Sequence, residues 1–224
     1  MTAQSSSRST SHRTGPASRR PTVVPSTVWA TGAAPIDPAD RWPASILSRA
    51  VREFSAVGDR VLLIGWPAAA RRGPLQAIPS GTGPVLATVE ALGRRPRIES
   101  GTAGPSGGHA TAELVVMSLL DDDDRAPGLI TDTAGRRLAE GGLLVVLSRC
   151  RHNRDGVLDD PAASVVAAAQ AADLLYLQHI IAAPVTGTTV AALQPHLPGR
   201  GAHALAHTDL FVFLSPRPVR AQEC

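Results

Sequence analysis

The chain has 224 residues, 43% of them hydrophobic and 18% charged, which suits one globular domain with or without a tail and excludes a wholly disordered or collagen-like protein. All 22 basic residues are arginine, set against 19 acids, for a formal net charge of +3 at pH 7. The absence of lysine and the single asparagine, Asn153, read as the bias of a GC-rich genome rather than as a functional signal. Two cysteines, Cys150 and the final residue Cys224, do not make a disulfide framework, so a reducing cytoplasm is the expected compartment.

Residues 1–26 are rich in Ser, Thr, Arg and Pro and carry Arg8, Arg13, Arg19 and Arg20 without an acid. Such a segment cannot bury enough apolar surface to offset its ordering entropy, and it is expected to be a disordered basic tail before one domain over 27–224. Setting those four arginines aside leaves 18 positive residues against all 19 acids, a formal charge of −1 for the remainder. The positive balance therefore belongs to the tail. No signal-peptide core and no apolar run of about 18 residues is visible, so neither secretion nor a membrane helix is expected.

Thr27 to Ala30 is a short apolar run. Pro43 opens a predicted helix in which Ile46, Leu47, Ala50, Val51 and Phe54 recur at helical spacing, ending near Gly58. Arg60 to Ile64 is apolar after its first residue, as in a strand covered on both faces. A Gly/Pro-rich loop from Gly65 to Pro84 leads to a helix from Val85 to Leu92, stopped by Gly93, and then a weak strand at Arg97 to Glu99. Glu113 to Ser118 is the next strand and runs into four aspartates; Gly128 to Glu140 is expected to be helical. Strand Leu143 to Leu147, helix Ala162 to Ala172, and strands Leu174 to Ala183 and Asp209 to Leu214 complete the pattern. Alternating strands and helices ending in two nearby strands predict an α/β, Rossmann-like, doubly wound and mostly parallel sheet.

In such a sheet ligands bind beyond the carboxyl ends of the strands. Gly65 and the loop Ser80-Gly81-Thr82-Gly83 would let backbone approach a cofactor, and Glu99, ending the next strand, could hold two ribose hydroxyls. In a chain with 20 Gly and 19 Pro, an ordinary loop explains the glycines equally well. Asp121 to Asp124 follow the strand ending at Ser118; they read as a solvated loop more readily than as a magnesium site. Cys150 with His152 lacks the second pair that zinc requires, and His203 and His207 have little room to share a helix face, so no metal is expected. A nucleophile elbow is absent, and a lysine-containing phosphate loop is impossible without lysine.

From about Val28 to Pro216 the order of pieces resembles the actinobacterial proteins of the S-adenosylmethionine-dependent DNA methyltransferase family that modify exocyclic amino groups of adenine or cytosine. Val28-Trp29-Ala30-Thr31-Gly32 resembles the entry segment, and Trp42-Pro43 with Ile46-Leu47 the helix beside the cofactor. Gly81-Thr82-Gly83 followed by Ala91-Leu92-Gly93-Arg94-Arg95 is similar to the cofactor loop, helix and turn. Ala112 to Ser118 resembles the strand carrying the catalytic motif, and His207-Thr208-Asp209-Leu210-Phe211-Val212-Phe213 the final strand. The resemblance implies a methyltransferase-type sheet, S-adenosylmethionine as cofactor over Gly65, Gly81, Gly83 and Glu99, and Ser118 and Asp121 at the catalytic positions.

The departures fall on the chemistry. In the family a short polar residue, two prolines and an aromatic hold and stack the flipped base. Here Ser118 is followed by Leu119, Leu120 and Asp121, and an aspartate offers no stacking face and repels phosphate. An insertion from Trp66 to Gln76 separates the first strand from Gly81, and the segment expected to supply target contacts is missing. The favoured expectation is a methyltransferase-like domain with a degraded catalytic motif, catalytically impaired or inactive, whose remaining role is ligand binding, with S-adenosylmethionine as the candidate, or protein interaction. The alternative is an active S-adenosylmethionine-dependent N-methyltransferase acting on DNA or a small molecule. DNA is disfavoured as a partner by the domain's charge, and the sequence does not supply a protein partner or an oligomeric state.

Overall fold

The computed structural model describes residues 27–65, 82–100, 111–120, 136–152, 157–190 and 206–216. The tail over 1–26, the insertion, Gly81, the four aspartates and His203 lie outside the described residues.

Among the described residues, seven strands form the main sheet: β1 (Val28–Ala30), β2 (Arg60–Gly65), β3 (Arg95–Ser100), β4 (Ala112–Ser118), β5 (Leu138–Ser148), β8 (Leu175–Ala183) and β11 (Thr208–Leu214). Their order is β1-β8-β11-β5-β4-β2-β3. Every pairing is parallel except those of β11, which runs antiparallel to both β5 and β8. The reversed last strand inserted between its neighbours makes this a Rossmann-like sheet of the methyltransferase type. Two two-stranded ribbons lie outside it, β6 (Arg151–His152) with β7 (Leu158–Asp159) and β9 (Val185–Thr186) with β10 (Thr189–Val190).

The helices lie on both faces, as double winding requires. On helix α1 (Ala44–Phe54), Ile46, Leu47, Ala50 and Val51 are buried because their spacing places them on one stripe. Together with Val89 of α2 (Thr82–Ala91) they cover Val61, Leu63, Leu114, Val116, Val145, Leu147, Leu210 and Val212. On the other face Val165, Ala168 and Ala169 of α3 (Ala162–Ala171) cover Leu62, Ile64, Val115, Met117, Leu144, Val146, Phe211 and Phe213. The odd and even residues of each central strand thus go to opposite cores, which is why these strands read as unbroken apolar runs. Among the described residues, no helix is long and apolar enough to cross a membrane.

Several boundaries differ from the sequence reading. Helix α2 begins at Thr82, ahead of the expected Val85, because Pro84 in a first turn loses no helical hydrogen bond and its fixed φ suits the helix. Strand β3 begins at Arg95, recruited by pairing with Arg60. Of the helix expected over 128–140, only Arg136 and Arg137 are helical among the described residues, and 138–140 already belong to β5. Pairing of Leu138 with Ala112 captures those residues, and a register irregularity near Ala112 to Leu114 restores the phase.

Two glycines matter to this layout. Gly93 ends α2 at a φ of 77°, with its amide on the Glu90 carbonyl and that of Arg94 on the Val89 carbonyl, so the chain can turn directly into β3. Gly142 lies in β5 where backbone crowds it: an added Cβ would stand 2.8 Å from the Ala139 carbonyl oxygen and 3.1 Å from those of Ala112 and Glu113. Gly142→Ala is therefore expected to lower the unfolding free energy by about 2 kcal/mol in urea denaturation. Gly83→Ala, with nothing within 4 Å of the added carbon, should be neutral or stabilising by up to about 1 kcal/mol. The reverse ranking would contradict this account of β5.

Candidate functional site

The carboxyl ends of β2, β3, β4 and β5 lie side by side, and the strand registers fix what stands there. Gly65 is level with Ser118 of β4 and Ser100 of β3, and Ser118 is level with Leu147 of β5. Paired residues share a face, so Gly65 and Ser118 look toward the α1 side. Glu99, level with Ile64, looks toward the other.

The α1 side of this edge is filled by the segment leading into α1. Ser118 is 1% exposed, and its Oγ donates to the Arg41 carbonyl at 2.7 Å. The Trp42 indole lies against Gly65, where an added Cβ would come within 3.3 Å of the ring. Trp42 and Ile36 are themselves buried, and the Asp40 carboxylate accepts from the Trp42 amide.

Arg149, just past β5, anchors this strap. Its side chain donates from Nε to Thr208 Oγ1 at 3.1 Å, from Nη1 to the carbonyls of Asp37 and Pro38 at 3.2 and 3.3 Å, and from Nη2 to that of Asp40 at 3.4 Å. Burial pushes its pKa down, while the nearby charges of Asp40 and Asp37 support the guanidinium. The Arg151 guanidinium donates in turn to the Leu120 carbonyl beyond β4.

On the opposite face Glu99 is already engaged. Both of its oxygens lie 3.1 to 3.2 Å from Arg137 Nη1, with the two side chains only 17% and 15% exposed. Gly83 stands in the first turn of α2, where an added Cβ would meet nothing within 4 Å among the described residues. The structure thus brings Gly65 and Ser118 together under the strap and separates them from the Glu99 carboxylate. Asp121 and Gly81 lie outside the described residues.

Sequence reasoning did not single out two features. One is Arg149, whose only signal was a charge closing an apolar strand. The other is a buried carboxylate between two imidazoles at the carboxyl end of β5 and the start of β11. Asp209 Oδ1 lies 2.8 Å from His179 Nε2 and 3.4 Å from His207 Nε2. The His179 ring stacks on Phe211 with centroids 4.6 Å apart. Burial opposes ionisation of Asp209, but its hydrogen bonds to His207 and His179 prevail and hold its pKa below the usual carboxylate range. The hydrogen bond to Asp209 in turn raises that of His207.

A cleft of about 470 Å³ lies at the opposite, amino edge of the sheet, between Glu53, Asp59, Glu113 and Glu140. There the Glu113 carboxyl is lowered to about 2, chiefly by its hydrogen bond to Arg60. Among the described residues no group of three His, Cys, Asp or Glu side chains could hold a metal ion.

No protein-family model matches the chain, and no curated protein matches it. Solved structures do. A methyltransferase from Methanosarcina mazei, described as S-adenosylmethionine-dependent, is similar at 8% identity and a TM-score of 0.42 over 74% of this chain and 96% of that one. The 1,6-didemethyltoxoflavin-N1-methyltransferase of Burkholderia thailandensis is similar at 14% identity and 0.46, over 81% and 80%. The N-methyltransferase NodS of Bradyrhizobium japonicum is similar at 15% and 0.45, over 79% and 87%.

The strap gives a direct expectation. Arg149→Met removes a donor set and strands several carbonyls, so it should lower stability by about 3 kcal/mol in chemical denaturation. A loss below about 0.5 kcal/mol would mean that the strap does not depend on this guanidinium.

Proposed function

We propose that this chain is a methyltransferase-like domain that retains S-adenosylmethionine binding but has lost the exocyclic-amino chemistry of the DNA-modifying family it resembles. The single observation that carries the reading is the fate of Ser118. A residue that must orient a target amino group needs an accessible side chain, and this hydroxyl is sealed against the Arg41 carbonyl. The replacement of the family's prolines and aromatic by Leu119, Leu120 and Asp121 points the same way, because nothing in that run can stack on a base. The formal charge of −1 over 27–224 likewise disfavours a DNA-gripping surface.

Support for the cofactor is the surviving frame. Strand β2 ends in Gly65 and leads on to the N-terminus of α2, Gly83 there is unobstructed, and Glu99 stands one residue from the end of β3. Gly83 would take the cofactor against backbone and Glu99 would take its ribose hydroxyls, exchanging Arg137 for them. When bound, the cofactor supplies an electrophilic methyl group on a sulfonium. The residues on the α1 side then do the opposite of catalysis, because Trp42 and the carbonyl of Arg41 occupy the approach to Gly65 and Ser118.

Calorimetric titration with S-adenosylmethionine should show saturable heat, and Glu99→Ala should weaken binding at least about tenfold, the scale of a charge-assisted hydrogen bond. Radiolabelled methyl should not pass to duplex DNA. No heat at millimolar cofactor would overturn the binding reading, and DNA methylation abolished by Ser118→Ala would overturn the loss of chemistry.

A further inference from the structure

The face of β5 and β11 that points away from the strap carries a polar constellation that the preceding reading does not use. Asp209 is level with Ser148 across the β5 and β11 pair, so the two side chains emerge on the same face. At such positions Cβ atoms lie about 5 Å apart. Ser148 is 1% exposed, and its Oγ has no hydrogen-bond partner among the described residues. A buried hydroxyl without a partner costs about 1–3 kcal/mol, so its presence calls for an explanation.

The neighbours supply one. Ionised Asp209 is an acceptor only, so each imidazole that bonds to it must present an Nε2–H. A neutral ring in that tautomer carries a lone pair on Nδ1. Both rings are partly open to solvent, at 37% side-chain exposure each.

The field around them is negative. The Cys150 thiol, two residues beyond Ser148, is pushed up to about 11 by burial and by Asp160, Asp209 and Asp159. Asp160 also acts on His207. Two imidazoles around one buried carboxylate, a buried hydroxyl level with that carboxylate, and the negative charge of Asp160 near His207 therefore stand at one edge of the sheet.

We propose that Ser148, His179, His207 and Asp209 form a binding site for a protonated amine, whose ammonium N–H groups donate to the imidazole nitrogens and the Ser148 oxygen beneath the negative field of Asp209 and Asp160. The site goes beyond the cofactor reading and does not rest on it. No covalent step is involved. The charged groups that act on His207 are Asp209 from β11 and Asp160 from the turn before α3, and His179 of β8 bonds the same Asp209 oxygen. Protonated rings cannot accept, so amine binding weakens as pH falls through the raised pKa of His207.

The test uses the full chain with isotope-labelled histidine, benzylammonium as probe and no S-adenosylmethionine, so that failure of cofactor binding cannot mask the outcome. Ring signals of His179 and His207, assigned with His179→Gln and His207→Gln, should shift saturably with benzylammonium and not with benzoate. Asp209→Asn should weaken binding at least tenfold. Should that variant unfold, Ser148→Ala carries the test: it removes an unpartnered hydroxyl, so the fold should stand or gain stability while amine affinity drops at least threefold. Ring signals that ignore the amine, that respond equally to benzoate, or an affinity untouched by Ser148→Ala in a folded protein would overturn the proposal.

Discussion

An arginine that is only 4% exposed must find acceptors for its guanidinium inside the protein, and the acceptors that Arg149 finds decide what the carboxyl edge of this sheet can do. Three of them are backbone carbonyls of the segment before α1, and the fourth is the Thr208 hydroxyl at the start of β11. One side chain thereby joins the end of β5, the first residue of the reversed strand and the entry segment. Once the entry segment is held there, Trp42 falls against Gly65 and the Arg41 carbonyl accepts a hydrogen bond from the Ser118 hydroxyl. The sealing of the α1 side follows from satisfying one buried charge.

The two faces of the same edge have consequently diverged. On the α1 side Ser118 and Arg149 are paired with backbone carbonyls and with Thr208, an arrangement that stabilises and leaves neither side chain for a ligand. On the α3 side a buried carboxylate is paired with titratable rings, and a serine hydroxyl has no partner among the described residues. Strand alternation makes this separation possible, since consecutive residues of one strand, Leu147, Ser148 and Arg149, address different faces. A sheet can thus lose one use of its ligand edge without losing the edge.

Much of the fold could be read from the chain because the central strands are covered on both sides. Val61 to Ile64, Leu114 to Met117 and Leu144 to Leu147 are unbroken apolar runs for that reason, and α1 declared itself through the spacing of Ile46, Leu47, Ala50 and Val51. Residues 138–140 were not legible, because Leu138-Ala139-Glu140 has no strand preference of its own and enters β5 through pairing with Ala112. The site was harder still. Gly65 and Ser118 were placed at the right edge by their strands, but that Trp42 would pack on one and Arg41 cap the other depends on Arg149, some 110 residues distant along the chain. His179 offered only an imidazole in an apolar strand, and its meaning comes from the reversed direction of β11, which sets Phe211 opposite it and Asp209 within reach.

The sealing of Ser118 is the claim on which the functional reading turns, and the accessibility of that position measures it most directly. In a Cys150→Ser, Cys224→Ser background, Ser118→Cys can be labelled with a thiol reagent under native conditions and after unfolding. A strap that opens only through a costly local transition predicts native labelling slower by at least about a hundredfold, accelerated by Arg149→Met. Labelling of the native protein as fast as that of the unfolded chain would show an open edge at Ser118 and contradict the account.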